Sequence, residues 1–177
     1  TGTTLKAWLS YNTRKGPDTL TIHIDDSTAV YPLSVDPVAS SAAWSAAGGN
    51  NSYFGEKVST AGDVNNDGFS DVIVSSGNSG VSYVYHGSSS GLSTTANWTK
   101  AAGNGDTFGC RSATAGDVNG DGYSDVIVGG HGLYQSGGYY PGEAYVFLGS
   151  ATGLATTHTW MTSGPNNWSR YGYAVNT

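Results

Sequence analysis

At 177 residues the chain has room for one ordinary domain or for part of a repeat array, and its 27 glycines, with frequent Ser, Thr and Asn, leave no stretch that reads as a long amphipathic helix. A net charge of −6, with seven scattered Lys and Arg, argues against a nucleic-acid backbone or an anionic membrane as partner. No apolar run approaches membrane-spanning length, no signal peptide is recognisable, and the single Cys110 excludes an intrachain disulfide or a cysteine-based zinc site, leaving the redox compartment undecided.

The first 38 residues stand apart. The start at TGTTLK, without Met, points to a processed protein or an excised piece. TLTIHID (19–25) alternates apolar and polar residues, DDST is a turn signal, and AVYPLSVDP (29–37) reads as another strand ended by proline. Residues 1–38 are therefore expected to be the hairpin-rich end of an upstream β domain, with a boundary near Pro37.

From residue 39 the chain repeats. GDVNNDGFSDVIV begins at Gly62, and 54 residues later GDVNGDGYSDVIV begins at Gly116. Trp44 and Trp98 each stand ten residues before an aromatic-glycine pair, Phe54-Gly55 and Phe108-Gly109, and Trp160 stands eleven before Tyr171-Gly172. After each acidic phrase come a strand-like run, VSYVYHG or EAYVFLG, and a turn, GSSSGL or GSATGL. Each unit offers four strands: about 54–61, 71–76, 81–86 and 94–101 in the first, about 108–115, 125–130, 143–148 and 156–162 in the second. Residues around Trp44 close an earlier unit and 171–177 open a third. Four short strands per unit, at periods of about 40–60 residues, is the pattern of a β-propeller blade. The expected fold is all-β: four-stranded antiparallel blades over about 54–102 and 108–163, a partial propeller of about two blades with flanking strands, preceded by a short hairpin segment.

The second unit carries a longer insertion (131–143), HGLYQSGGYYPGE, between its middle strands; insertions of this kind sit in surface loops on one face of a repeat protein. Its Tyr134, Tyr139 and Tyr140 break the repeat and are candidates for a contact surface, against an equally weighted reading as a functionless loop. The Trp markers keep a fixed phase, which favours packing within or between blades over stacking on sugars.

Six of the thirteen acidic residues lie inside the two acidic phrases. Asp117, Asn119, Asp121, Tyr123 and Asp125 occupy alternate positions, as do Asp63, Asn65, Asp67, Phe69 and Asp71. Oxygen-bearing side chains at that spacing, with a glycine after the third, can curl round a hard cation, and position seven would offer its main-chain carbonyl. Three carboxylates and an amide suit Ca²⁺ better than Mg²⁺, and no histidine lies in either loop to favour zinc or copper. The ninth residue is Asp and DVIV follows at once, so the loop belongs to a β-hairpin and not to an EF-hand. The alternative is an Asp/Asn/Gly turn with no metal; two matching copies, whose clustered carboxylates would repel one another, favour two calcium sites.

FG…GDVNNDGFSDVIV and FG…GDVNGDGYSDVIV, over about 44–177, resemble the FG-GAP repeats of the integrin α-subunit propeller and of secreted bacterial and fungal proteins that share them. The resemblance implies that each DxNxDGxxD loop links the first two strands of a blade and binds Ca²⁺. The second half of the motif is degenerate here, with SSG (75–77) and GGH (129–131). YPLSVDP also looks like a segment that precedes such repeats in large secreted bacterial proteins. Propellers of this family usually have seven blades, so two blades with flanking strands imply further blades from the same polypeptide or from other chains.

Other signals carry less. GSSSG (87–91) matches a hydrolase nucleophile elbow with Ser89 as nucleophile, but no helix follows and the next unit puts Ala151 at that place. The four histidines are dispersed; His86 and His131 read as structural or solvent-exposed. Asn50, Asn97 and Asn167 fit the N-glycosylation sequon. No catalytic constellation emerges, so the chain is read as a non-catalytic, extracellular, calcium-stabilised module that recognises a protein or a glycan. The alternative is the propeller part of a secreted lyase or hydrolase acting on carbohydrate, and a third reading is a structural spacer.

Overall fold

The computed structural model describes residues 7–12, 19–24, 42–101, 108–130, 134–135, 138–139, 141–166 and 169–176; for 7–12, 19–24, 134–135 and 138–139 only the backbone is considered. The chain divides into two compact units, Thr1–Ser41 and Ala42–Thr177. In the first unit, β1 (Ala7–Asn12) and β2 (Thr19–Ile24) form an antiparallel hairpin in which Ala7 faces Ile24 and Asn12 faces Thr19. TLTIHI is thus a strand, and it pairs with the preceding AWLSYN. AVYPLSVDP and the expected boundary at Pro37 lie outside the described residues.

The second unit begins its sheets at β3 (Phe54–Gly62), which runs into β4 (Asp71–Ser76), β5 (Val81–Tyr85) and β6 (Trp98–Ala101). These four strands pair antiparallel in sequence order. The next set is β7 (Arg111–Gly116), β8 (Asp125–Gly130), the short pair β9 (Tyr134–Gln135) and β10 (Gly138–Tyr139), then β11 (Glu143–Phe147) and β12 (Trp160–Ser163). Strands β7, β8, β11 and β12 make the second four-stranded antiparallel sheet, and β9 and β10 form their own hairpin inside the insertion. The described residues contain no helix. Two meandering four-stranded sheets are two propeller blades. Of the insertion, His131 and Tyr140 lie outside the described residues, as does Asn167.

The strand edges differ from the sequence expectation where side chains compete for the backbone. The outer strands start at Trp98 and Trp160, several residues later than 94 and 156. Asn97 Oδ1 accepts from His86 N at 2.9 Å and from Ser93 Oγ, so TTAN folds into a turn instead of extending the ladder. The second blade's inner strand starts at Arg111 because Gly109, at φ +80°, turns the chain just before it.

The core lies between the blades. Ala61, Val64, Ile73, Val84 and Trp98 from the first meet Phe108, Val126, Val128, Phe147 and Leu154 from the second in one buried cluster. The alternation of each strand makes this possible: Ile73 of β4 points downstream into the cluster, while Val126 and Val128 of β8 point back into it. Polar contacts stitch the same seam. Ser75 Oγ and Ser112 Oγ share a buried hydrogen bond of 2.6 Å, Arg111 pairs with Glu56 at 2.9 Å, and Lys100 Nζ donates to the Thr156 carbonyl.

The tryptophans are inter-blade latches. Trp98 leaves the first blade's outer strand, packs edge-on against Phe147 with ring centroids 5.1 Å apart, and donates Nε1–H to the Ala155 carbonyl at 3.0 Å. Trp44, upstream of the first blade, repeats this with Tyr85 at 4.9 Å and the Ser93 carbonyl at 2.8 Å. It therefore occupies the place of a preceding blade's last element.

The aromatic-glycine pair is the second latch. A Cβ on Gly109 would lie 2.8 Å from the Val81 carbonyl carbon, so only glycine lets this turn sit against the first blade. Gly55 has a similar φ (+87°), but a Cβ there meets nothing within 4 Å. Gly109→Ala is expected to cost about 2–4 kcal/mol, adding backbone overlap to the left-handed strain. Gly55→Ala is expected to cost only the strain, about 1–2 kcal/mol. Urea unfolding of both variants checks the ranking, and equal losses would refute the packing role.

Candidate metal centres in the blade loops

Each acidic phrase forms the turn between a blade's first two strands. In the first, Gly62 and Gly68 have φ of +82° and +89° and Asn66 of +55°, so the chain curls back on itself within ten residues. Gly116, Gly120 and Gly122 do the same in the second, at +74°, +76° and +92°. Asp63 Oδ1 accepts from Asp67 N at 3.0 Å, and Oδ2 from Gly68 N at 2.8 Å. Asp117 accepts from Gly120 N, Asp121 N and Gly122 N at 2.8, 3.1 and 2.8 Å. The third and fifth positions lock together: Asn65 Nδ2 donates to Asp67 Oδ2 at 2.9 Å, and Asn119 Nδ2 to Asp121 Oδ2 at 2.8 Å. The seventh residue enters through its main chain, with Phe69 N donating to Asp67 and Tyr123 N to Asp121.

The ninth position behaves differently. Asp71 and Asp125 are fully buried, and each accepts two backbone N–H groups. Asp71 takes Val64 N and Gly87 N, both at 2.8 Å, and Asp125 takes Val118 N and Gly149 N, both at 2.8 Å. These aspartates tie the acidic turn to the later GSSSGL or GSATGL turn of the same blade. The structure thus gathers positions one, three and five around one another and commits the ninth carboxylate to the backbone. Among the described residues no three His, Cys, Asp or Glu side chains form a metal-holding group by themselves.

Electrostatics keep the rim of each loop ionised. The Asn65 amide, then the Phe69 N–H, hold the Asp67 carboxyl below its usual range. The Gly122 N–H, joined by Gly120 and Asp121, does the same for Asp117. Asp71 goes the other way, because burial raises its carboxyl and the Gly87 and Val64 N–H groups offset only part of that. The repulsion that three carboxylates would generate is thus relieved in part by amide dipoles, a contribution that spacing alone does not reveal. The donors are nevertheless all oxygen, with free lone pairs remaining on carboxylates that each accept two or three hydrogen bonds. That chemistry fits a hard divalent cation.

Two neighbours were not visible from the motif. His86 lies beside the first loop, with Nδ1 3.5 Å from Asn65 Nδ2, where the second blade has Leu148. Ser124 of the second loop reaches back to the first: its Oγ accepts from Asp63 N at 3.1 Å, and its own N–H donates to the Asp63 carbonyl at 2.9 Å. A serine at position eight in both phrases was the available signal, but its partner lies in another blade.

With this geometry the known families agree. The FG-GAP-like repeat family matches residues 63–128, from the first loop through the strand after the second. The FG-GAP repeat family matches 111–147, from β7 to β11. Residues 63–147 carry FG-GAP repeats. The matched stretches run across both blades; in each blade the acidic loop joins the first two strands, and the Phe108-Gly109 pair of the second seats against the first. No curated protein matches the chain.

Proposed function

We propose that this chain is a calcium-stabilised segment of an extracellular β-propeller that serves adhesion or recognition and carries no catalytic centre of its own. The observation that carries the reading is the pair of matching all-oxygen loops, each with an ionised rim, at the same place in two successive blades. Asp63, Asn65, Asp67, Asp71 and the Phe69 carbonyl would hold one Ca²⁺. Asp117, Asn119, Asp121, Asp125 and the Tyr123 carbonyl would hold the other. In each set the ninth aspartate would contribute while keeping the two backbone amides it already accepts. A bound ion would supply positive charge at the centre of the turn and so fix the first hairpin of each blade.

Loops of this ligand type in extracellular modules bind at about 10⁻⁴–10⁻³ M, which suits an environment rich in calcium. The partner is a protein or a glycan, presented to the loop side of the blades, and the β9–β10 hairpin of the insertion is the element that departs from the repeat. Further blades would complete the scaffold.

Saturating calcium is expected to raise the melting temperature above that in EDTA. Each site contributes about 2.7 kcal/mol when free calcium exceeds its Kd a hundredfold. Calorimetric titration should count two sites, and Asp121→Asn should remove one. Coincident melting curves in EDTA and millimolar calcium would refute the metal role. A glycan array probed with and without calcium tests recognition, and capture that ignores calcium would separate the ligand site from the loops.

A further inference from the structure

Within their turns the two acidic phrases differ at only two places, Asn66 for Gly120 and Phe69 for Tyr123. The first of these makes the second loop read Asn119-Gly120 where the first reads Asn65-Asn66. Asn66 and Gly120 both adopt positive φ, +55° and +76°, so the turn itself accepts either residue. What glycine changes is access to its own peptide nitrogen. A Cβ on Gly120 would meet nothing within 4 Å, and Asn119 and Gly120 are both exposed, whereas Asn65 is half-buried.

An asparagine followed by glycine can react with its own backbone: the next peptide nitrogen attacks the side-chain carbonyl carbon and closes a five-membered imide. Glycine favours the step twice, because no Cβ shields the nitrogen and the backbone is free to bring it onto the carbon. In the closed loop both reacting groups are held. Gly120 N donates to Asp117 Oδ1 at 2.8 Å, Asn119 Nδ2 donates to Asp121 Oδ2 at 2.8 Å, and Asn119 Oδ1 accepts from Asp121 N at 3.2 Å. These bonds lie within an exposed turn and are released when it opens locally. Opening of the first loop is costlier, since Ser124 of the following blade bonds both the N–H and the carbonyl of Asp63.

We propose that Asn119-Gly120 is a self-modification site, where opening of the second loop lets the Gly120 nitrogen attack Asn119 Cγ and convert the asparagine to isoaspartate and aspartate. The N–Cγ bond forms as Cγ–Nδ2 breaks; Gly120 N gives up its proton, the leaving nitrogen takes one up, and ammonia departs. Water then opens the imide, its hydroxyl going to a carbonyl carbon and its proton to the Gly120 nitrogen. Breaking the new N–Cγ bond yields aspartate. Breaking the original bond between the Asn119 carbonyl carbon and Gly120 N yields isoaspartate, with an extra methylene in the main chain. Water is the only co-reactant. Either product replaces the amide that donated to Asp121 with a carboxylate, so a hydrogen bond becomes a like-charge contact and the second turn loosens. The change is one-way and confined to the second loop, which therefore records the age of the molecule.

The test incubates the 177-residue chain near neutral pH in EDTA, so that the outcome does not depend on the calcium reading, and follows it over weeks by tryptic mapping. Cleavage after Lys57, Lys100, Arg111 and Arg170 places Asn65, the other Asn-Gly pair at Asn104-Gly105, and Asn119 on separate peptides. Peptide 112–170 is expected to gain the mass of an amide-to-acid exchange at Asn119, with isoaspartate among the products, while Asn65 stays intact. Gly120→Asn, which copies the first loop, should slow the conversion several-fold; if that variant fails to fold, Asn65 in the parent chain supplies the same comparison. In guanidinium chloride Asn119 should convert several-fold faster than in the folded chain. An Asn119 still intact in the folded chain after the unfolded chain has converted overturns the proposal. So do equal rates at Asn65 and Asn119, or aspartate formed without isoaspartate, which is the product of direct hydrolysis.

Discussion

Phe147→Ala is expected to destabilise the two-blade unit by about 3–5 kcal/mol, the largest loss of any single truncation considered. The side chain is fully buried and meets Trp98, Phe108 and His158 edge-on, with centroids 5.1, 6.0 and 6.2 Å apart. Removing it opens a void at the centre of the seam. Trp98 cannot fill the space without leaving the Ala155 carbonyl that anchors its indole. A domain of this size has roughly 5–15 kcal/mol in total, so the variant should unfold at a far lower urea midpoint with little change in slope. A loss below about 1 kcal/mol would mean that the two sheets are held by something other than this cluster.

Asp125→Ala, measured in EDTA, is expected to cost about 2–5 kcal/mol even though no metal is involved. The substitution strands the Val118 and Gly149 N–H groups, and each buried donor left without a partner costs about 1–3 kcal/mol. Asp121→Ala should behave differently. Its carboxylate is exposed and bonds only within the loop, so in EDTA the loss should stay within about 1 kcal/mol. In calcium that variant should fall further behind the parent, by the stabilisation of one bound ion. The contrast separates a backbone clamp from a cation ligand inside one nine-residue motif. Equal losses for the two variants in EDTA would show that Asp125 is not a clamp.

Much of the fold was legible because the repeat wrote it twice. DVIV lies in the sheet in both blades, with Asp71–Ser76 and Asp125–Gly130 coinciding with the expected strands. Trp44 could be assigned to an earlier unit from its phase alone, and its contact with Tyr85 repeats that of Trp98 with Phe147. The turn before Trp98 could not be read in advance, because it depends on the Asn97 carboxamide reaching the His86 amide eleven residues back. At the loops, the ring of alternate oxygens was visible, but the division of labour within it was not. A pattern of aspartates does not show that the ninth faces Gly87 or Gly149 across the blade, since those glycines become neighbours only once β4–β5 and β8–β11 have paired. Ser124 was hidden for the same reason, one blade further away.

That serine gives the array a direction. The Asp63 peptide is gripped on both sides by Ser124, so the first loop is braced at its Asp63 end by the blade that follows, while the second loop is tied to the first blade through Ser124 at its far end. Asp63 and Asn65 are accordingly half-buried, while 117–122 lie exposed. Local opening should therefore start at the downstream end and travel backwards one blade at a time, with the Asp117–Asp125 turn exchanging its amide protons ahead of the Asp63–Asp71 turn.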